Sequence, residues 1–178
     1  MANSEIRVNG NGDITVRTGG KMSNKVEFLP RFGLRLFLND GFDSVRYCGY
    51  GPHESYIDKH HASYMGEFSA NIADMHEDYI RPQENSSHYG CLFSEISDGK
   101  KTLRFEAPEP FSFNASIYAQ EELAWRRHNY ELERCGSSVV CIDSGMAGVG
   151  TNSCGPELDP KYRIPLPEVH LEFKISLK

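Results

Sequence analysis

The chain has 178 residues, 39% hydrophobic and 25% charged, with a formal net charge of −6. That length suits one domain with its own core, and the composition excludes a disordered tract or a membrane-spanning segment. The 19 Lys and Arg are scattered, which argues against a nucleic-acid partner, since binding a phosphate backbone requires a clustered positive surface.

In chain order, the start MANSEIRVNGNGD lacks a basic stretch followed by an apolar core, so no targeting signal is expected. Residues 5–17 alternate apolar and polar around Asn9-Gly10-Asn11-Gly12, a hairpin signature. After Gly19-Gly20, the period-two pattern at Leu34, Leu36 and Leu38 predicts a strand over 33–38, with Val45-Arg46-Tyr47 as its partner across the Asn39-Asp40-Gly41 turn. From Pro52 to Tyr89 no period persists, which reads as a long ordered excursion over a sheet. Strands are expected at 91–96 and 102–106 as a second hairpin, then at 111–118, 129–132 and 137–142, with one short helix within 119–126. Residues 169–177 carry the clearest alternation of all. The expected fold class is all-β, a single antiparallel β-sandwich domain over 1–178. The five cysteines, Cys48, Cys91, Cys135, Cys141 and Cys154, are odd in number and lack zinc or redox spacing, which favours buried thiols and a reducing, cytoplasmic setting.

Several stretches invite chemistry. The run VVCIDSGMAGVGTNSCGP opens from an apolar strand into a loop of glycines and small polar residues, a place for close approach. Gly145, Gly148 and Gly150 do not make a phosphate cradle, because such a loop must feed a helix and the prolines at 156, 160, 165 and 167 forbid one. Asp143 reads as a loop-organising acceptor, with no second carboxylate near it in sequence to make a dyad. His53, His60 and His61 beside Glu54 and Asp58 resemble a metal set only loosely, and the simpler reading has Glu54 and Asp58 capping backbone donors or pairing with Lys59. His88 or His76 with Glu84 or Asp74 would be the acid and base of an aldose 1-epimerase-like enzyme. The stretch Arg81-Pro82-Gln83-Glu84-Asn85 is expected to fix its own loop, and with His88 it is a candidate carbohydrate-facing or domain-facing groove. The single Trp125 is expected to pack against the sheet, the alternative being a sugar-stacking platform.

The order of LPRFGLRLFL, YCGYGPHESYIDK, YIRPQEN, FNASIYAQEEL and CIDSGMAGVGTNSCGP resembles the C-terminal domain of family 2 glycoside hydrolases that are β-galactosidases, from about Leu29 to Lys178. The resemblance implies a β-supersandwich similar to the galactose mutarotase fold, of which this chain is a fragment that leaves a sheet edge seeking a partner. It also implies retaining hydrolysis by two glutamates on a separate barrel, so no catalytic residue, cofactor or metal belongs to this chain. What the chain would supply is a wall loop, Asn152, Ser153 and Cys154. Some members carry a sugar-stacking tryptophan at the position of Cys154, and a thiol offers no such platform. The implied partners are the remaining domains of the parent glycosidase and, through the loop, a galactoside; no membrane partner is implied, and homo-oligomerisation stays open. An autonomous carbohydrate-binding module is the alternative from a different class.

Overall fold

The chain's computed structural model describes residues 2–147 and 158–178. Strands β1 (Ala2–Val8) and β2 (Ile14–Lys21) form the expected hairpin, with Ile6 opposite Val16. The turn closes through Asn9 and Asp13, with Gly12 at φ +88° where a side chain would be strained. The remaining strands are β3 (Arg31–Asn39), β4 (Ser44–Gly51), β5 (Tyr64–Asn71), β6 (Ser87–Ser97), β7 (Thr102–Ser116), β8 (Ser137–Met146) and β9 (Glu168–Leu177). All pair antiparallel, in the order β1-β2-β9-β7-β6-β4-β5, with β8 beside β7 and β3 beside β8. The all-β antiparallel fold is therefore as expected. The single α-helix among the described residues, α1 (Gln120–Trp125), lies within the predicted 119–126. No helix among the described residues is long and apolar enough to cross a membrane.

The long strand β7 joins the two layers. Its first half, Leu103–Glu106, pairs with β9, and its last residues, Ser112–Ser116, pair with β8. Between them lie Pro108 and Pro110, exposed residues with no N–H to donate, and there the ladder changes partner. The β3/β8 arm departs at this point and lays Leu34, Leu36 and Leu38 on a shared core with Val16, Phe105, Phe113, Leu171 and Phe173. Each of the three phenylalanines, almost fully withdrawn from water, contributes about 2–3 kcal/mol of hydrophobic stabilisation.

Four expectations are corrected. The strand over 33–38 pairs with β8, not with Val45–Tyr47, because the apolar run Val139–Ile142 gives β3 a partner that buries its leucines; β4 pairs with β5 and β6. The strands expected at 102–106 and 111–118 are one continuous β7. The excursion over 52–89 contains β5, an edge strand with alternately exposed residues and too few apolar side chains to show a period. Asn129–Glu131 is a 3-10 turn rather than a strand, since the Glu131 carboxylate accepts from the backbone N–H groups of Arg127 and His128 and closes the chain on itself.

Candidate functional site

Strand β8 ends at Met146, and the segment Pro30–Gly33 braces that end. Ala147 N–H donates to the Pro30 carbonyl at 2.9 Å, and Arg31 stands opposite Met146. A bulge then places Ser144 out of register, where its hydroxyl donates to the Phe32 carbonyl at 3.2 Å. Gly33 is required here, since a Cβ would collide with the Ile142 carbonyl and with Asp143. The freed space holds the buried Asp143 carboxylate, which accepts from Arg31 Nη2 at 2.6 Å.

The other Nη of Arg31 donates to both oxygens of Glu84, at 3.2 and 3.4 Å. Asp143 thus has a second carboxylate near it in space, with a guanidinium between the two. Burial raises the pKa of both carboxyl groups, against which Arg31 pulls each down. For Arg31 itself burial acts downward, and Asp143 and Glu84 more than offset it. The cation is permanent, and neither carboxylate is free for acid–base work.

Glu84 is delivered by a loop that its own side chains fasten. The Asn85 amide is buried, accepting from Glu77 N–H at 2.9 Å and donating to the Glu77 carbonyl at 2.8 Å. Asn114 donates to the Asn85 carbonyl, and Ser86 sits at φ +63°. Ser86 N–H donates to Glu54 at 3.1 Å, and the same buried carboxylate takes Lys59 at 2.8 Å, Tyr56 at 3.0 Å and the Tyr79 hydroxyl. Glu54 therefore both caps a backbone donor and pairs with Lys59. His60 Nδ1 lies 2.9 Å from the Tyr56 carbonyl, with its ring stacked on His61 and Tyr89. Among the described residues no three His, Cys, Asp or Glu side chains are grouped to hold a metal.

The ends of β3 and β8 and the loop of Glu84 are thus joined by ionisable groups committed to one another. A family model described as "Beta galactosidase small chain" matches residues 2–177. The chain belongs to the β-galactosidase small chain family. The match takes in the first hairpin, ahead of the motifs that begin at Leu29. Among individual relatives, a β-galactosidase of Actinobacillus pleuropneumoniae is 43% identical over 169 residues, 95% of this chain and 16% of that protein. One of Staphylococcus xylosus is 41% identical over 171 residues, 96% of this chain and 17% of that protein. One of Kluyveromyces lactis is 30% identical over 172 residues, 93% of this chain and 16% of that protein. The chain thus spans about a sixth of the length of the relatives it matches.

In this small-chain segment the residues singled out from the sequence fall into three places. Asn152, Ser153 and Cys154 lie outside the described residues. Their nearest described neighbours, Ala147 and Leu158, are buried, and Arg163 holds the Leu158 carbonyl at 3.2 Å. Glu84 is in that ionic cluster, with Gln83 half-buried beside it. Asn85 and His88 point inward instead of lining a groove. The His88 ring packs 4.1 Å from that of Tyr47 with Nδ1 at 3.1 Å from the Tyr50 carbonyl, and burial lowers its pKa to about 4. His76 Nε2 is taken by Asn129 at 3.0 Å. The acid and base of an epimerase are therefore not assembled, because Glu84 belongs to Arg31, the exposed Asp74 accepts from Asn71 at 3.5 Å, and each His belongs to another partner.

Two features escaped the sequence. Arg31 carries the cluster, and nothing local distinguishes it from the other arginines. Beside it, a cleft of about 380 Å³ lies between β3 and α1, lined by Arg31, Gly33, Arg35, Gln120, Cys141 and Asp143. Arg35 grips Glu121 with both Nη atoms, at 2.7 and 2.9 Å, and Gln120 at 2.9 Å. The Cys141 thiol is pushed up to about 12 by burial and is unreactive.

Proposed function

We propose that the chain is the C-terminal accessory segment of a β-galactosidase, whose parent enzyme hydrolyses terminal β-D-galactosides with retention. In this reading the catalytic glutamates stand on another domain, and Asn152, Ser153 and Cys154 form one wall of the sugar pocket, with Gln83 and Glu84 at its rim. The remaining domains of the parent are its partners. The observation that carries the reading is the alignment of 95% of this chain with 16% of a β-galactosidase at 43% identity. The Arg31–Asp143–Glu84 root supports it, because a loop that completes a distant pocket needs a fixed base. The test replaces the matching segment of the Actinobacillus pleuropneumoniae enzyme with this chain. The chimera is expected to hydrolyse a chromogenic β-galactoside, glycine at 152–154 to raise KM, and the isolated chain to be inactive. Turnover by the purified isolated chain, or glycines that leave kcat/KM unchanged, overturns the reading.

A further inference from the structure

If residues 152–154 enter a pocket on another domain, as proposed above, the surface continuous with their root must lie against that domain. The described residues show what that surface is. From Arg31 the outward side of β3 runs through Arg35 to Phe37, roughly 20 Å along the strand. The Arg35 guanidinium sits 5.2 Å over the Phe37 ring, which is 55% exposed, and its ion pair with Glu121 ties α1 to this side. One helical turn beyond Glu121 stands Trp125, the only tryptophan, 82% exposed. It does not pack against the sheet as expected; Leu123, at 2% exposed, is the anchor of α1 and turns the indole outward.

A six-residue helix has no stability of its own, yet here Arg126 holds Glu122 at 2.6 Å and Glu133 N–H holds the same carboxylate at 2.9 Å. The indole is therefore presented on a fixed platform, at little entropic cost to a partner. The opposite layer differs. Across β4, β6, β7 and β9 its outer face is a lattice of ion pairs, Arg46–Glu95–Arg104–Glu106–Lys174, and its aromatic ring, Phe93, is covered by Arg46 at 5.2 Å and Arg104 at 4.0 Å. Phe93 thus lies under two guanidiniums, whereas on the β3/α1 face Phe37 lies under one and stays 55% exposed, and Trp125 is 82% exposed.

We infer that the outward side of β3 and α1, with Phe37 and Trp125 as anchors, is the surface on which this segment docks against the rest of its own β-galactosidase. The occupant is a protein surface with an apolar pocket that accepts an indole. Two observations favour it over a saccharide or a second copy: the surface begins at Arg31, which grips Asp143 of β8, and the relatives extend over about six times the aligned length.

Hydroxyl-radical footprinting read by mass spectrometry tests this in the chimera described above against the isolated chain. Trp125 and Phe37 are expected to oxidise about tenfold more slowly in the chimera, with Phe93 changed less than about twofold. Equal rates at Trp125 overturn the inference. So does protection that disappears on dilution, which marks a second copy, or protection of the isolated chain by lactose, which marks a sugar platform. The double variant Trp125→Ser with Phe37→Ser is expected to lower the melting temperature of the chimera while moving that of the isolated chain by no more than about 2 °C; an equal drop in both overturns it. These readouts do not involve activity, so glycine at 152–154 can refute the proposed function while the footprint still reports on the surface.

Discussion

Replacing Arg31 with methionine keeps most of the side chain's volume and removes the cation shared by Asp143 and Glu84. The carboxylate side chains are 3% and 16% exposed and that of Arg31 is 25% exposed, so water repairs little of the loss. Breaking a buried pair by deleting one partner costs about 3–5 kcal/mol, and the partial exposure of Arg31 points to the lower end, about 3 kcal/mol. For a chain of this length that is a fall in Tm of about 6–12 °C. The pH dependence adds a second check. Burial holds both carboxyl pKa values above their ordinary 3.8 and 4.5, so the folded state takes up protons more readily than the unfolded one. That contribution is complete below the ordinary values and is lost as pH rises through the raised ones. Without Arg31 the raised values climb further, and protonation neutralises the stranded charges. The deficit of the variant is therefore largest near about pH 7.5 and shrinks towards about pH 5. Urea unfolding followed by circular dichroism at both pH values measures it. A loss under about 1 kcal/mol, or a deficit that grows on acidification, refutes the account of the cluster.

Gly33→Ala drives a methyl group into the Ile142 carbonyl and the Asp143 carboxylate, and is expected to cost about 2 kcal/mol in the same urea assay. His88 is expected to stay uncharged as pH falls from neutral to about 5, read from its ring carbon shifts by NMR; a midpoint near the ordinary 6.5 would contradict its burial. Because its pKa is depressed to about 4, its contribution to stability is complete above 6.5 and is lost as pH falls through 4. Glu95 accepts from Arg46, Arg104 and Lys178 on the outer face, so Glu95→Gln is expected to cost about 1 kcal/mol, with much of that effect abolished by molar salt. Burial acts to raise the Glu95 pKa, but those three cations lower it overall, so its contribution holds above 4.5 and is lost on acidification.

What the sequence disclosed follows from range. The alternation over 169–177 and the Asn-Gly turn of the first hairpin are local patterns, and both became the elements they predict. β5 was hidden because this edge strand sends only Phe68 into the core and so has no apolar period to display. The partner of β3 was hidden because an adjacent run with strand character competes, in a sequence, with one that lies a hundred residues on. The site divides in the same way. Glu54 with Lys59 was legible at a separation of 5 residues, whereas Arg31 meets Glu84 and Asp143 across separations of 53 and 112. Trp125 faces outward although a lone indole beside a leucine is usually core, because Leu123 takes the inward side of α1.

In the motif LPRFG each residue from Pro30 to Gly33 has its own place in the fold. The Pro30 carbonyl receives Ala147, Arg31 binds Asp143 and reaches Glu84, the Phe32 carbonyl receives Ser144, and Gly33 yields the room that Asp143 occupies. Four consecutive residues thus serve the last turn of β8, and each does so through a different property: a carbonyl, a permanent cation, a carbonyl set by the bulge, and a missing Cβ. Burying two carboxylates there gains no stability over an apolar filling of similar volume. It does fix direction, because a guanidinium fork accepts its partners in one plane. An apolar plug would hold β3 against β8 without that plane; the ionic cluster ties the two strands and the loop of Glu84 to one another. That is the property a segment needs if its task is to present residues to a pocket on a neighbouring domain.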